Sequence, residues 1–131
     1  MDLHCHTTAS DGRLSPTQLV EHAVERGLGL LAITDHDTLA GIAEAQAAAP
    51  PSLRLVPGVE LSTDHGGRGL HLLAYFPAIG SWSAAFEATL AERQASRDRR
   101  LASIARHLDR CGVPIDADAI RASAQGAVTR P

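Results

Sequence analysis

An α/β fold, with a sheet or barrel carrying helices, is what this sequence predicts, and three observations predict it. Residues 2–75 alternate apolar runs and helix-like stretches in the order strand, helix, strand, helix, strand, strand. Histidines and carboxylates gather where those runs end, the place where functional groups collect in such folds. The composition is 44% hydrophobic but only 3% aromatic, so a core must be built from Leu, Val, Ile and Ala.

The first strand covers residues 2–6. Ser15-Pro16-Thr17-Gln18 then has the signature of a helix start: a capping serine, proline at the first helical position, and a glutamine three residues on that completes a capping box. Leu19, Val20, Ala23 and Val24 form the apolar stripe, and Gly27 is the expected terminator. Residues 28–33 form an unbroken apolar run, as in a strand buried on both faces. It ends in Thr34-Asp35-His36-Asp37-Thr38, where Asp37 or Thr38 is expected to cap a helix carrying Leu39 and Ile42. Pro50-Pro51 stops that helix.

Residues 53–62 read as the third strand, with Pro57-Gly58 predicting a bend or bulge before Glu60. Residues 64–67 read as a turn and 70–75 as the fourth strand. One long helix is expected from about 81 to 110, with Leu101, Ile104, Ala105 and Leu108 at helical spacing and Cys111-Gly112 at its end. Asp116 is positioned to cap a further short helix through Ile120.

Composition narrows the function classes. The chain has 131 residues, enough for one modest domain. Its net charge of −3 argues against a nucleic-acid binder held by bulk positive charge. Bound metal ions would reverse the local sign, so a phosphorylated substrate remains compatible. Two cysteines without a CxxC fit packing residues in a reducing compartment. No apolar run approaches transmembrane length and no signal segment opens the chain, so a cytoplasmic location is expected.

The chemistry-bearing groups come from four segments. His4 and His6 alternate with Cys5 along one strand and therefore share a face, about 7 Å apart along the backbone. Two imidazoles on one strand face rarely serve packing alone. Asp11, in a Ser-Asp-Gly turn, can swing a carboxylate back toward them. His36 follows the second strand, Glu60 lies on the third and His71 on the fourth. Imidazoles mixed with carboxylates, and no required thiolate, suit Zn, Mn or Fe. Such ions lower the pKa of bound water to about 7. Asp35 reads as either a ligand or a group orienting a ligand histidine. His22, His65 and His107 read as surface residues, and Arg93, Arg97, Arg99 and Arg100 as a solvated helix face or, more sharply, a phosphate-facing surface.

Asp2-Leu-His-Cys-His-Thr-Thr-Ala-Ser-Asp-Gly, Ala32-Ile-Thr-Asp-His-Asp-Thr, Pro57-Gly-Val-Glu-Leu-Ser and His71-Leu-Leu-Ala-Tyr together resemble the PHP family, named for polymerase and histidinol phosphatase. Their order is most similar to its stand-alone phosphoesterase branch, which includes 3′,5′-nucleoside bisphosphate phosphatases and 5′–3′ exoribonucleases. The resemblance implies a distorted barrel of seven strands with a trinuclear metal centre. Residues 1–77 would be the N-terminal half of that barrel and 78–131 the start of a helical insertion over the active site. His4 and His6 would serve the first metal, Glu60 would bridge, His71 would serve the second metal, and Asp11 and His36 the third. Two or three divalent ions (Mn, Zn or Fe) would be the cofactors. The expected reaction is hydrolysis of phosphate esters of small nucleotides or short RNA by a metal-bound hydroxide. Another PHP phosphatase, a polymerase-associated PHP module and a non-catalytic metal-binding remnant are the alternatives. Members of the family continue past an Arg-Pro like Arg130-Pro131 and add a further histidine and a late Asp-x-His. The chain therefore reads as part of a longer enzyme, inactive or nearly so by itself.

Overall fold

The computed structural model describes residues 1–124; the expectation about the chain's end at Val128–Pro131 lies outside them. Four strands and four helices follow one another as β1 (Asp2–Cys5), α1 (Pro16–Glu25), β2 (Leu30–Ile33), α2 (Ile42–Ala48), β3 (Arg54–His65), β4 (Arg68–Tyr75), α3 (Ala84–Arg110) and α4 (Ala117–Ser123). The sheet order is β1-β2-β3-β4. β1–β2 and β2–β3 are parallel and β3–β4 antiparallel. The fold is thus mixed α/β, as the strand-helix alternation predicts.

The sheet is curled. In a flat sheet β1 and β4 would lie about 14 Å apart, three interstrand spacings. Yet the Tyr75 hydroxyl donates to the Leu3 carbonyl at 2.7 Å. The two edges bend toward each other, and this half-barrel curvature aims residues from both edges at a common region.

Local chemistry accounts for the elements. Ser15 caps α1 with the full capping box: its hydroxyl accepts from the Gln18 amide, and the Gln18 side chain accepts from the Ser15 amide. Gly27, at φ +69°, ends α1 in a Schellman turn, with Leu28 N–H bonded to the Ala23 carbonyl and Gly27 N–H to that of Val24. α1 and α2 cover one face of the sheet. There Val20, Ala23, Leu31, Ile33, Ile42, Ala45 and Leu53 form the core, with Cys5 packed against it.

Four expectations are corrected. α2 begins at Ile42 with Gly41 as its N-cap, so neither Asp37 nor Thr38 caps it and Leu39 lies before it. The Asp37 carboxylate is held elsewhere, and the Thr38 hydroxyl closes a local turn with the Ala40 amide. No bulge interrupts β3 at Pro57-Gly58: the register with β4 runs unbroken from Gly58 to His65. Instead β3 changes partner there, because the β2 ladder ends at Pro57, and a Cβ on Gly58 would meet Thr34 Cγ2 at 2.9 Å. Asp64 and His65 belong to β3, not to a turn, since Gly66 and Gly67, both at positive φ, make a two-residue hairpin. The stripe on α3 is only partly used: Leu90 and Leu101 are buried and Phe86 packs edge-on against Phe76, but Ile104 is 46% exposed. Among the described residues no helix is long and apolar enough to cross a membrane.

Candidate metal centre

β1 carries His4, and His6 follows directly after it, while Cys5 packs against the core. Burial pushes the Cys5 thiol up to about 12, so it is a neutral packing group. β3 supplies Glu60, 4% exposed, at the centre of the cluster. One of its oxygens, Oε2, lies 2.8 Å from His4 Nε2 and 2.9 Å from His6 Nε2. The other, Oε1, lies 2.5 Å from His71 Nδ1 on β4. Asp11 stands between His6 and His36, 3.1 Å from His6 Nδ1 and 3.4 Å from His36 Nε2. His36 and Glu60 are held side by side by an isolated parallel bridge between the loop after β2 and β3. All six candidates from the four sequence segments therefore meet in one place.

The donor set fits metal ions better than a closed hydrogen-bond network. His6 faces a carboxylate oxygen with both ring nitrogens, yet a neutral imidazole carries a single N–H. His36 Nδ1 is buried without a hydrogen-bond partner, 3.7 Å from Glu60 Oε2. Two ligands on one ion, each bonded at about 2.0–2.1 Å, stand about 3–3.4 Å apart, and the contacts above scatter around that spacing. The six residues make three overlapping trios: His4, His6 and Glu60; His6, Asp11 and His36; His36, Glu60 and His71.

The electrostatics agree. Burial alone would raise the Glu60 carboxyl, but the His4 hydrogen bond and the neighbouring histidines hold it below its usual range. Burial drives the His36 imidazole down, against the pull of Glu60 and Asp11, which keeps it neutral and able to donate a lone pair.

Asp35, 1% exposed, bonds none of the histidines directly. Its Oδ1 accepts from the Thr7 amide at 2.7 Å and the Ser10 hydroxyl at 2.6 Å, and its Oδ2 from the Thr7 hydroxyl at 2.7 Å. Ser10 lies 3.4 Å from His6 Nδ1 and 3.2 Å from Asp11 Oδ1. Asp35 thus holds the loop that presents Asp11. Sequence reasoning missed Thr7 and Ser10, although the Thr-Thr-Ala-Ser-Asp-Gly run was a visible turn signal. Gly12 closes that loop: a Cβ there would sit 2.2 Å from the His6 carbonyl oxygen.

The arginine-rich part of α3 is not simply a solvated face. Arg97 Nη2 is 2.5 Å from Asp37 Oδ2 and 2.7 Å from the Ser62 hydroxyl. Arg93, Arg97 and Arg100 line a cavity of about 810 Å3 together with His36, Ser62 and His71. His65 and His107 stay outside this region, and His22 stands 3.7 Å from Glu25 on α1.

The chain is 44% identical over 130 residues to a 5′-3′ exoribonuclease of Haemophilus influenzae, spanning 98% of this chain and 47% of that protein. It is 43% identical over 74 residues to a 3′,5′-nucleoside bisphosphate phosphatase of Chromobacterium violaceum, covering 56% of this chain and 26% of that one. A solved protein of Bifidobacterium adolescentis, provisionally described as a metal-dependent phosphoesterase, superposes with a TM-score of 0.81 at 33% identity, over 95% of this chain and 44% of that chain. The chain thus spans about half the length, or less, of the relatives it matches. The PHP domain profile matches residues 2–125. With that match, the histidine–carboxylate cluster and the curled sheet, the chain belongs to the PHP domain family.

Proposed function

We propose that this chain carries part of the active site of a metal-dependent phosphoesterase acting on small nucleotides or short RNA. The observation that supports it is the meeting of His4, His6, Asp11, His36, Glu60 and His71 at ligand-like separations. Two or three divalent ions would be held there, with Glu60 between the His4–His6 and His36–His71 sides. Mn, Zn and Fe suit these ligands equally. Bound ions would supply Lewis acidity and a water acidic enough to attack phosphorus near neutral pH. The residues themselves fix the geometry: Glu60 spaces the two sides, and Asp35 and Ser10 hold Asp11 in reach of His36. Arg93 and Arg100 place positive charge along the cavity beside the cluster, which suits an anionic substrate. The relatives' named activities, on RNA and on a nucleoside bisphosphate, point to the same substrate class.

Six ligands cannot fill the coordination of three ions, each of which takes four or more. The 131-residue chain by itself is therefore expected to bind manganese but turn over little substrate. Incubating it with manganese and a nucleoside 3′,5′-bisphosphate, with metal content read by mass spectrometry, tests both halves. No bound metal would refute the metal-centre reading. Turnover matching an intact phosphatase would refute the claim that further residues are required.

A further inference from the structure

One buried carboxylate joins three elements at the mouth of the site. Asp37 is 1% exposed and sits at φ +51°, in the left-handed region that aspartate tolerates better than most side chains. Its amide donates to the Glu60 carbonyl at 2.9 Å. Its Oδ1 accepts from the Ser62 amide at 2.9 Å, tying the loop that carries His36 to the strand that carries Glu60. Its Oδ2 accepts from Arg97 of α3, through Nη2 at 2.5 Å and Nε at 3.2 Å. The same Nη2 donates to the Ser62 hydroxyl. One turn earlier on α3, Gln94 donates to the carbonyls of Asp37 at 3.2 Å and His36 at 3.4 Å, and Arg93 donates to the Ser62 carbonyl.

The helix is thus seated on the site by a polar seam. Toward its C-terminal end it packs against α4, with Ile104 exposed. Arg97 is already committed to Asp37 and Ser62, whereas Arg93 Nε is buried without a partner and Arg100 lines the cavity. Arg97 thus carries the close contacts to the Asp37 carboxylate, while Arg93 joins the same seam at the Ser62 carbonyl, 4.0 Å from Asp37 Oδ1.

We propose that Asp37 and Arg97 form a clasp that seats α3 over the cavity and holds His36 at the cluster, which makes Arg97 a positioning residue. The His36 half of this rests on the metal-centre reading; the α3 half does not. A clasp between two such sheltered groups acts as a pair, because removing one partner leaves a buried charge unpaired.

Hydrogen exchange on wild type, Arg97→Gln, Asp37→Asn and the double variant tests it. The α3 amides around Arg93–Arg100 are expected to exchange at least about tenfold faster in each, with β2 and β3 amides unchanged and the double variant no worse than the worse single. Unchanged exchange in α3 would overturn the clasp. Faster exchange spread equally over sheet and helix would also overturn it, since the pair would then be a general stabiliser. Should neither charge variant fold, Ser62→Ala decides, because it removes one arm and keeps both charges. Faster exchange confined to α3 supports the clasp, and no change overturns it. Manganese titration reads the His36 half: sites that include His36 weaken, while the His4–His6–Glu60 site keeps its affinity. Wild-type affinity at every site, in a variant whose α3 is loosened, would overturn that half. A wild-type chain that binds no manganese would sink the metal-centre reading instead and leave the exchange result to judge the clasp.

Discussion

Replacing Glu60 with glutamine asks the cluster its central question. The substitution keeps size and shape but removes the charge that sits within 2.9 Å of three imidazole nitrogens. Glu60 belongs to two of the three trios, so its loss touches the first and second ion positions together. Losing even an outer-sphere partner costs ~10–100-fold in metal affinity; a direct ligand should cost at least the upper end. At a manganese concentration ~100 times its dissociation constant, the wild-type chain gains ~2.7 kcal/mol. For a chain of this length that is ~10 °C in Tm, at ~4 °C per kcal/mol. After a ~100-fold loss of affinity the same manganese contributes only ~0.4 kcal/mol, or ~2 °C. Thermal unfolding of both proteins, with manganese and with a chelator, measures this directly. The chelated samples separate lost affinity from lost intrinsic stability. A Glu60→Gln protein that keeps the wild-type manganese shift would refute the placement of Glu60 among the ligands.

Two further outcomes follow from the same structure. Gly12→Ala should destabilise the chain by ~1–3 kcal/mol, the usual range for overpacking, because the new methyl would sit 2.2 Å from the His6 carbonyl oxygen; an unchanged urea midpoint would show that the loop yields freely. Acid should weaken the metal-free fold in stages. His36 titrates below its ordinary 6.5 when folded, so its contribution is whole above that value and fades as pH falls through the lowered one. Glu60 and Asp37, also held below their ordinary 4.5 and 3.8, add losses at still lower pH. For these groups, urea midpoints should stay level from pH 8 to about 6.5 and fall from there toward pH 4, and a midpoint that rises between pH 7 and pH 5 would contradict the burial of a neutral His36.

Much of the architecture was legible because it is written in local chemistry. The Ser15 capping box, the Gly27 terminator, the Ser-Asp-Gly turn and the apolar run into β2 each depend on neighbours a few residues apart. The candidate ligands were legible for a related reason: strand alternation puts His4 and His6 on one face, and α/β connections bring strand ends to one rim. What misled was the role of particular polar residues. Asp37 has the chemistry of a helix cap and stands where one is expected, yet its carboxylate serves Ser62 and Arg97. Their positions 25 and 60 residues along the chain leave no local mark.

Sequence by itself determined the class of fold and the order of strands and helices, and it singled out six candidate ligands, because period, caps and turn residues act over short stretches. The tertiary structure alone decided that β1 and β4 curl until Tyr75 reaches Leu3, that Glu60 stands among four histidines, and that a helix late in the chain lays Arg97 on Asp37. Those outcomes depend on sheet curvature and on contacts between distant segments, where the folded geometry, rather than any neighbouring residue, selects the partner.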